Sequence, residues 1–319
     1  MESHYAAYGL HLTCAFPLLG SEPISPVEHP DLPVLALARI TPEELEREWG
    51  AVAGSPEWRG RLGDGQDFLI EQGADGEALF VYGNRARFLL HADMRQLDCV
   101  PERESLDWQR VLISKVIPAI SVMRGYEALH AAAVDSSEGV VAIMAPSGMG
   151  KSTLAIEMLN RGWALFADDV LVLQRTADGV LAHPGSPHMN LATGTLRGID
   201  PHTLGESLAT LAGEHWLAVG NTTTQPRPVR MLCMLERGAE LPTAVSPLAP
   251  SPLPLAPYML GQPGEQERQR DRFSLYADLM EQTALVRLTA SLEQEPAVLA
   301  ELIEGALARQ TPIDNGALL

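Results

Sequence analysis

The sequence predicts a mixed α/β (α+β) protein: a β-rich N-terminal domain over residues 1–105, then a P-loop α/β domain over residues 106–319. Three observations predict it. Short apolar runs separated by glycines fill the first third of the chain. An apolar run at Val140–Met144 leads into a glycine-rich segment and then into a helical repeat. The last fifty residues read as helix, strand and amphipathic helix. Hydrophobic residues make up 46% of the 319 positions, ample for one large core or two smaller ones.

In the N-terminal region, Tyr8–Phe16, Phe68–Gln72, Ala78–Tyr82 and Ala86–Ala92 read as strands, with turns at Gly73, Gly76 and Gly83. A helix over Ile40–Trp49 interrupts them: Thr41 caps it, Pro42 opens it, and Glu43 and Glu44 face the positive end of its dipole. Ser105–Tyr126 has helical apolar spacing at Val111, Leu112, Val116, Ile117 and Ile120, with Pro118 placed to kink it. Ala131–Val134 and Val140–Met144 are strands joined by the turn Asp135–Gly139. A helix over Lys151–Asn160 ends at Gly162, and Leu165–Ala167 and Val170–Leu173 are strands flanking Asp168 and Asp169.

Proline is dense from Pro242 to Pro263, which predicts a loop. Glu265–Asp271 reads as charged and solvated, Phe273–Gln282 as helix and Leu285–Leu288 as strand. The last helix, Pro296–Ala308, carries Leu299, Leu302, Ile303 and Ala306 on its apolar face.

The formal charge of −18 excludes nucleic acid and anionic membranes as expected partners. The three cysteines, Cys14, Cys99 and Cys233, have no metal-ligand spacing and read as buried free thiols. The N-terminus lacks a signal-peptide pattern, and the most apolar stretch, Val111–Met123, is too short for a bilayer, so a cytoplasmic protein is expected.

The chemistry is concentrated in Ala145-Pro-Ser-Gly-Met-Gly-Lys-Ser-Thr153, a G-x-x-x-x-G-K-[ST] phosphate loop whose first glycine is replaced by Ala145. Ser147, Gly148, Met149, Gly150, Lys151, Ser152 and Thr153 would surround the phosphates of ATP. The inward-turned N–H groups and the helix N-terminus form the cradle. Lys151 would reach the β- and γ-phosphates, and Ser152 would offer its hydroxyl to Mg²⁺. Asp168 and Asp169 supply the carboxylate such a site needs near the metal and a base for transfer to a hydroxyl; capping aspartates of a turn are the alternative. His130 alone reads as structural, as do His183, His188 and Arg230, which are expected at the surface or in structural roles.

Leu129-His-Ala-Ala-Ala-Val134, the phosphate loop, and Asn160-Arg-Gly-Trp-Ala-Leu-Phe-Ala-Asp-Asp-Val170 together resemble the catalytic domain of HPr kinase/phosphorylase, a family akin in structure to phosphoenolpyruvate carboxykinase. The resemblance covers about residues 128–175. It implies phosphate and metal roles for Lys151 and Ser152, an active-site role for His130, a proton-accepting role for Asp169 and a place near the metal for Asp168.

The chain departs from that family at Thr153, where a glutamate is usual. It also has Ala182–Leu191 where an acidic ligand and an Ile-Arg-Gly segment are usual, and it lacks the HPr-docking segment. HPr is therefore not the expected substrate. Relatives without those parts resemble the kinases of lasso-peptide and other ribosomal-peptide pathways, which phosphorylate a precursor-peptide serine near its C-terminus. The expectation is a Mg·ATP-dependent serine kinase with a peptide or protein acceptor. An ATP-binding regulator without transfer, or a kinase of HPr or of a small hydroxylated molecule, stands as the alternative, and a homo-oligomer is left open.

Overall fold

The computed structural model describes residues 2–50, 55–61, 67–103, 105–193, 203–211, 213–261 and 268–309. Its architecture is mixed α/β, with sheets of eight, nine and three strands.

The eight-stranded sheet is built from residues 3–101, with Ser3–Ala7 at one edge and Ser55–Arg61 at the other. The stretch expected as one strand from Tyr8 is a hairpin, Ser3–Ala7 against Leu10–Cys14. Tyr8 and Gly9 both take left-handed backbone, at φ 55° and 77°, and so make the two-residue turn whose twist suits a hairpin. Two strands that sequence patterning did not single out, Val34–Arg39 and Gln96–Pro101, pair in parallel at the centre of this sheet. The helix expected from Ile40 begins at Pro42; Thr41 and Glu44 cap it reciprocally, each side chain bonding the other's backbone N–H.

The helix expected over 105–126 runs from Asp107 to Met123 and contains a π-turn, Leu112–Val116. The Ile117 N–H reaches back five residues to Leu112. Pro118 supplies the reason: its ring would clash with the preceding turn and it has no N–H to donate, and a widened turn just before it relieves both. The helix packs its apolar face on the eight-stranded sheet in one cluster with Leu10, Leu35, Phe80 and Phe88, and with Ala128, Val172 and Trp216 from beyond it.

The nine-stranded sheet carries the phosphate loop. Three of its strands are parallel neighbours: Gly139–Met144, Arg227–Arg237 and Ala284–Ala290. Lys151–Asn160 and Pro296–Ala308 cover one face, burying Leu154, Met158, Leu299 and Ile303 against Ile143 and Cys233. The chain changes partners at Ala131: Glu127–His130 pairs with Val170–Thr176, whereas Ala132–Ser136 pairs with Gly139–Met144 and Ala164–Ala167. That switch places His130 and the Asp168–Asp169 break side by side.

Two further expectations are corrected and two are borne out in part. The proline-dense stretch includes an edge strand, Ala244–Pro247, and a 3-10 helix, Leu253–Tyr258; proline is compatible with both because neither needs every N–H paired in a central ladder. The last helix but one begins at Gln269, ahead of Phe273. Within the charged run, residues 265–267 lie outside the described residues and Gln269, Arg270 and Asp271 are exposed as expected, while Arg268 with Arg272 grips the buried carboxylate of Glu127, at 3.0 and 2.7 Å. His183, His188 and Arg230 are buried, which removes the surface half of the expectation and leaves the structural half. His183 bonds Gln174 and stacks on Tyr126, and His188 bonds the Leu19 carbonyl and stacks on Trp216. The three cysteines are buried free thiols, as expected. Among the described residues no helix is long and apolar enough to cross a membrane.

Candidate active site

The loop between Met144 and Lys151 leaves the carboxyl end of a buried strand and enters a helix N-terminus, the position where open α/β sheets hold ligands. Gly148 and Gly150 sit at φ 80° and 95°, the left-handed backbone that lets the loop curl. Ala145 is fully buried with no left-handed strain, so the missing first glycine costs the loop nothing in conformation. Pro146, Ser147 and Gly148 form the exposed crest, and Met149, Ser152 and Thr153 are half-buried.

Lys151 is 6% exposed. Its Nζ donates to the Ala145 carbonyl at 3.0 Å and lies 3.1 Å from His130 Nε2. The tautomer of His130 follows from its partners. Its Nδ1 lies 3.1 Å from the Asp169 carbonyl, which can only accept, so Nδ1 carries the proton. Nε2 is then a lone pair facing an ammonium that can only donate. Burial, then Lys151, pushes the His130 pKa down and keeps the ring neutral. Burial also lowers the Lys151 pKa, against the pull of Asp169 and Asp168.

Asp168 and Asp169 occupy the break between Ala164–Ala167 and Val170–Thr176. Asp168 is buried; its Oδ1 is 3.4 Å from the Ser152 hydroxyl, and its Oδ2 accepts the Asn190 N–H at 2.9 Å. Burial, reinforced by Asp169, pushes its pKa up to about 7. Asp169 takes a left-handed φ of 65°, unusual for a residue with a side chain, and its carboxylate lies 3.8 Å from Lys115 Nζ.

The residues predicted to act together, Lys151, Ser152, Asp168, Asp169 and His130, thus form one connected group at the head of the loop. Sequence reasoning missed three others. Lys115 is delivered by the π-turn, whose only signal was Pro118. Asn190 holds Asp168 and has a buried side-chain oxygen with no bonding partner. Arg237, at the carboxyl end of the strand beside the loop, is held by four bonds to the carbonyls of Ser291, Leu292 and Gln294. A Cβ added at Gly150 would come within 3.2 Å of the Arg237 Nη1.

The donor set fits a hard divalent cation. Ser152 Oγ and Asp168 Oδ1 are hard oxygen donors, and a carboxylate whose charge is disfavoured by burial and by a like neighbour is what a cation relieves.

Sequence, fold and loop geometry together match the phosphate-loop motif. Over short stretches the chain is similar to HPr kinase/phosphorylases. It is 54% identical over 41 residues to the HPr kinase/phosphorylase of Bordetella pertussis, a match covering 13% of each chain. It is 39% identical over 70 residues to that of Leptothrix cholodnii, covering 19% of this chain and 22% of the relative. It is 36% identical over 61 residues to that of Prosthecochloris aestuarii, covering 19% and 18%. The chain therefore spans less than a quarter of the length of the curated relatives it matches. A solved structure, the Hpr(Ser) kinase/phosphatase from Coxiella burnetii, aligns over 57% of this chain and 97% of its own at 13% identity and a TM-score of 0.33. No family model matches the chain.

Proposed function

We propose that the protein is a Mg·ATP-dependent serine kinase whose acceptor is a peptide or protein, with a ribosomally made precursor peptide as the leading candidate. The observation that carries the reading is the convergence of Lys151, Ser152, Asp168, Asp169 and His130 on one end of one loop.

In this reading the loop amides and Lys151 hold the β- and γ-phosphates, and Lys151 leaves its resting bond to the Ala145 carbonyl to do so. Ser152 and Asp168 would hold Mg²⁺, which supplies neutralisation of the phosphate oxygens. The acceptor serine oxygen forms a bond to the γ-phosphorus as the bond from that phosphorus to the β-bridging oxygen breaks, and ADP leaves. Asp169 takes the serine proton, and its left-handed backbone turns its carboxylate out beside Lys115. His130, neutral and locked in one tautomer, positions Lys151 and the Asp169 backbone. Thr153 and the unusual Ala182–Leu191 stretch, which forms buried strand and loop structure around Asn190, favour an acceptor other than HPr.

The test is incubation of the purified chain with Mg²⁺, γ-labelled ATP and, separately, HPr, serine-containing peptides and a set of small alcohols. Label on peptide serine supports the reading. Label on HPr or on a small molecule alone moves the acceptor class, and tight ATP binding without transfer to any acceptor overturns the kinase.

A further inference from the structure

A groove of about 820 Å³ lies outside the phosphate loop, and no residue of the loop is among the described residues lining it. Tyr5, Ala6 and Ala7 of the edge strand Ser3–Ala7 of the eight-stranded sheet line it, as do Gly185–Pro187, Glu206 and Thr222–Gln225.

The hairpin register fixes which backbone groups face the groove. A two-residue turn makes Ala7 and Leu10 a bonded pair, so Tyr5 with Leu12 is bonded too, whereas His4 and Ala6 turn their N–H and C=O outward. Two contacts agree: the His4 carbonyl accepts from Ile24 N–H, and His11, opposite Ala6, donates away from the hairpin to Pro33. One step beyond, Tyr8 N–H donates to Pro184. Between these occupied positions the outward N–H and C=O of Ala6 have no backbone partner among the described residues, and Ala6 lines the groove. An extended backbone is the partner that meets such a donor and acceptor together.

The charge of the lining narrows the partner. Glu22, Glu28 and Glu206 line the groove, and no Lys or Arg does among the described residues. A nucleotide or phosphate is repelled here, and a neutral or basic chain is favoured.

The lining also includes chain adjacent in sequence to the carboxylate pair. Phe166, two residues before Asp168, is in its lining, as is Ser186, whose hydroxyl lies 3.3 Å from that of Tyr8. A Cβ at Gly185 would meet Ala167 at 3.1 Å and Tyr8 at 3.2 Å, so the Gly185 stretch of the lining packs against the residue that precedes Asp168. Its floor includes Ile113 and Ile117, from the helix whose Lys115 reaches Asp169.

We infer that this groove docks an extended, neutral-to-basic stretch of the acceptor polypeptide by pairing with the Ala6 edge, holding the acceptor beside Asp169. The inference rests on the kinase reading for the purpose of the groove, but the docking itself is tested without transfer. The probe is a fluorescein-labelled positional-scanning library of nonapeptides with a central serine, read by anisotropy. It is run against the wild-type chain, the E22Q/E28Q/E206Q variant, and Ala6→Pro, which deletes the outward N–H while leaving the hairpin bonds intact. Melting temperature and circular dichroism verify that each variant is folded.

Wild type is expected to bind lysine-containing pools about tenfold more tightly than glutamate-containing ones, with that preference lost in the triple glutamine variant and binding to all pools lost in Ala6→Pro. No wild-type binding, no charge preference, or unchanged binding in folded Ala6→Pro overturns the proposal. Transfer from Mg·ATP to the bound peptides is measured separately. Binding without transfer leaves the groove standing and the kinase reading fallen, and transfer undiminished in Ala6→Pro does the reverse.

Discussion

Replacing Lys151 by methionine is the sharpest test of the site. The side chain is almost entirely buried, and methionine retains its length and apolar stem while removing the charge. In the resting protein the substitution strips a donor from the Ala145 carbonyl and from His130 Nε2, at about 1–3 kcal/mol for each acceptor left dry. It also removes the cost of burying an ammonium, the effect that already lowers the Lys151 pKa, so the two changes largely offset. The fold is expected to survive. With ATP bound the balance differs, because nothing replaces the charge on the outer phosphates; removal of one such preorganised group costs about 3–4 kcal/mol in the transition state, or roughly 10²–10³ in rate. The assay is kcat/KM for label transfer together with ATP affinity by calorimetry, with melting temperature as the control for folding. A folded methionine variant whose ATP affinity and transfer both stay within about threefold of wild type, against the fold-change expected of such a group, would refute the assignment of the loop.

Three further outcomes follow from buried charge and from the packing. Glu127→Ala leaves Arg268 and Arg272 without their buried carboxylate and is expected to destabilise by about 3–5 kcal/mol in urea unfolding, with Glu127→Gln falling between. His183 and His188 are held by burial at pKa values of about 4, below the ordinary 6.5, so the unfolded chain takes up protons first as pH falls. Their contribution is fully present above about pH 6.5 and drains between there and pH 4, at about 3 kcal/mol per residue, and urea titrations at several pH values should show less of this loss in His183→Gln. For the division at residue 105, we propose that it separates sheets but not folding units, since one apolar cluster joins Leu10, Phe80 and Ile113 with Val172. Calorimetry of the full chain should then give a single transition, and a 106–319 fragment should not fold alone; two transitions or a folded fragment would count against it.

The parts of the molecule legible in sequence were those set by short-range chemistry. The capping box at Thr41 and Glu44 and the two left-handed glycines of the loop each need a particular residue at a particular local position. Asp168 and Asp169 drew notice because adjacent acids in apolar surroundings need an explanation. The hairpin at Tyr8–Gly9 was hidden because tyrosine rarely enters left-handed backbone, and the central parallel pair Val34–Arg39 and Gln96–Pro101 because nothing local announces a partner about sixty positions away. The remaining site groups were silent for a related reason. Lys115 reaches Asp169 only from a helix widened by its own proline. Arg237 looks like any strand-end arginine until the parallel register sets it beside Gly150, and Asn190 matters through an N–H that every residue but proline possesses.

The net charge poses the last question, because a chain of −18 should repel ATP. At physiological salt the screening length is about 8 Å, so the charges at the site decide binding while the remote ones act mainly on approach. Locally, Lys115 and Lys151 are matched by Asp169 and by Asp168 once a cation holds it ionised, and of the groups described at the loop only Arg237 then leaves an excess of positive charge. On the proposed reading the attraction would come largely from backbone N–H groups and from the metal, neither of which is strongly screened at contact, while the long-range term is repulsive and is weakened by salt. Most phosphate-binding proteins lose affinity as salt rises. Here, at saturating Mg²⁺, raising ionic strength from about 0.05 to 0.3 M should leave ATP affinity unchanged or tighten it, and should speed association in stopped flow. Withdrawal of Mg²⁺ should weaken binding at every salt concentration. A fall in affinity of more than about threefold over that salt range would show that a surface field of mobile cations, rather than the fixed amides of the loop, holds the nucleotide.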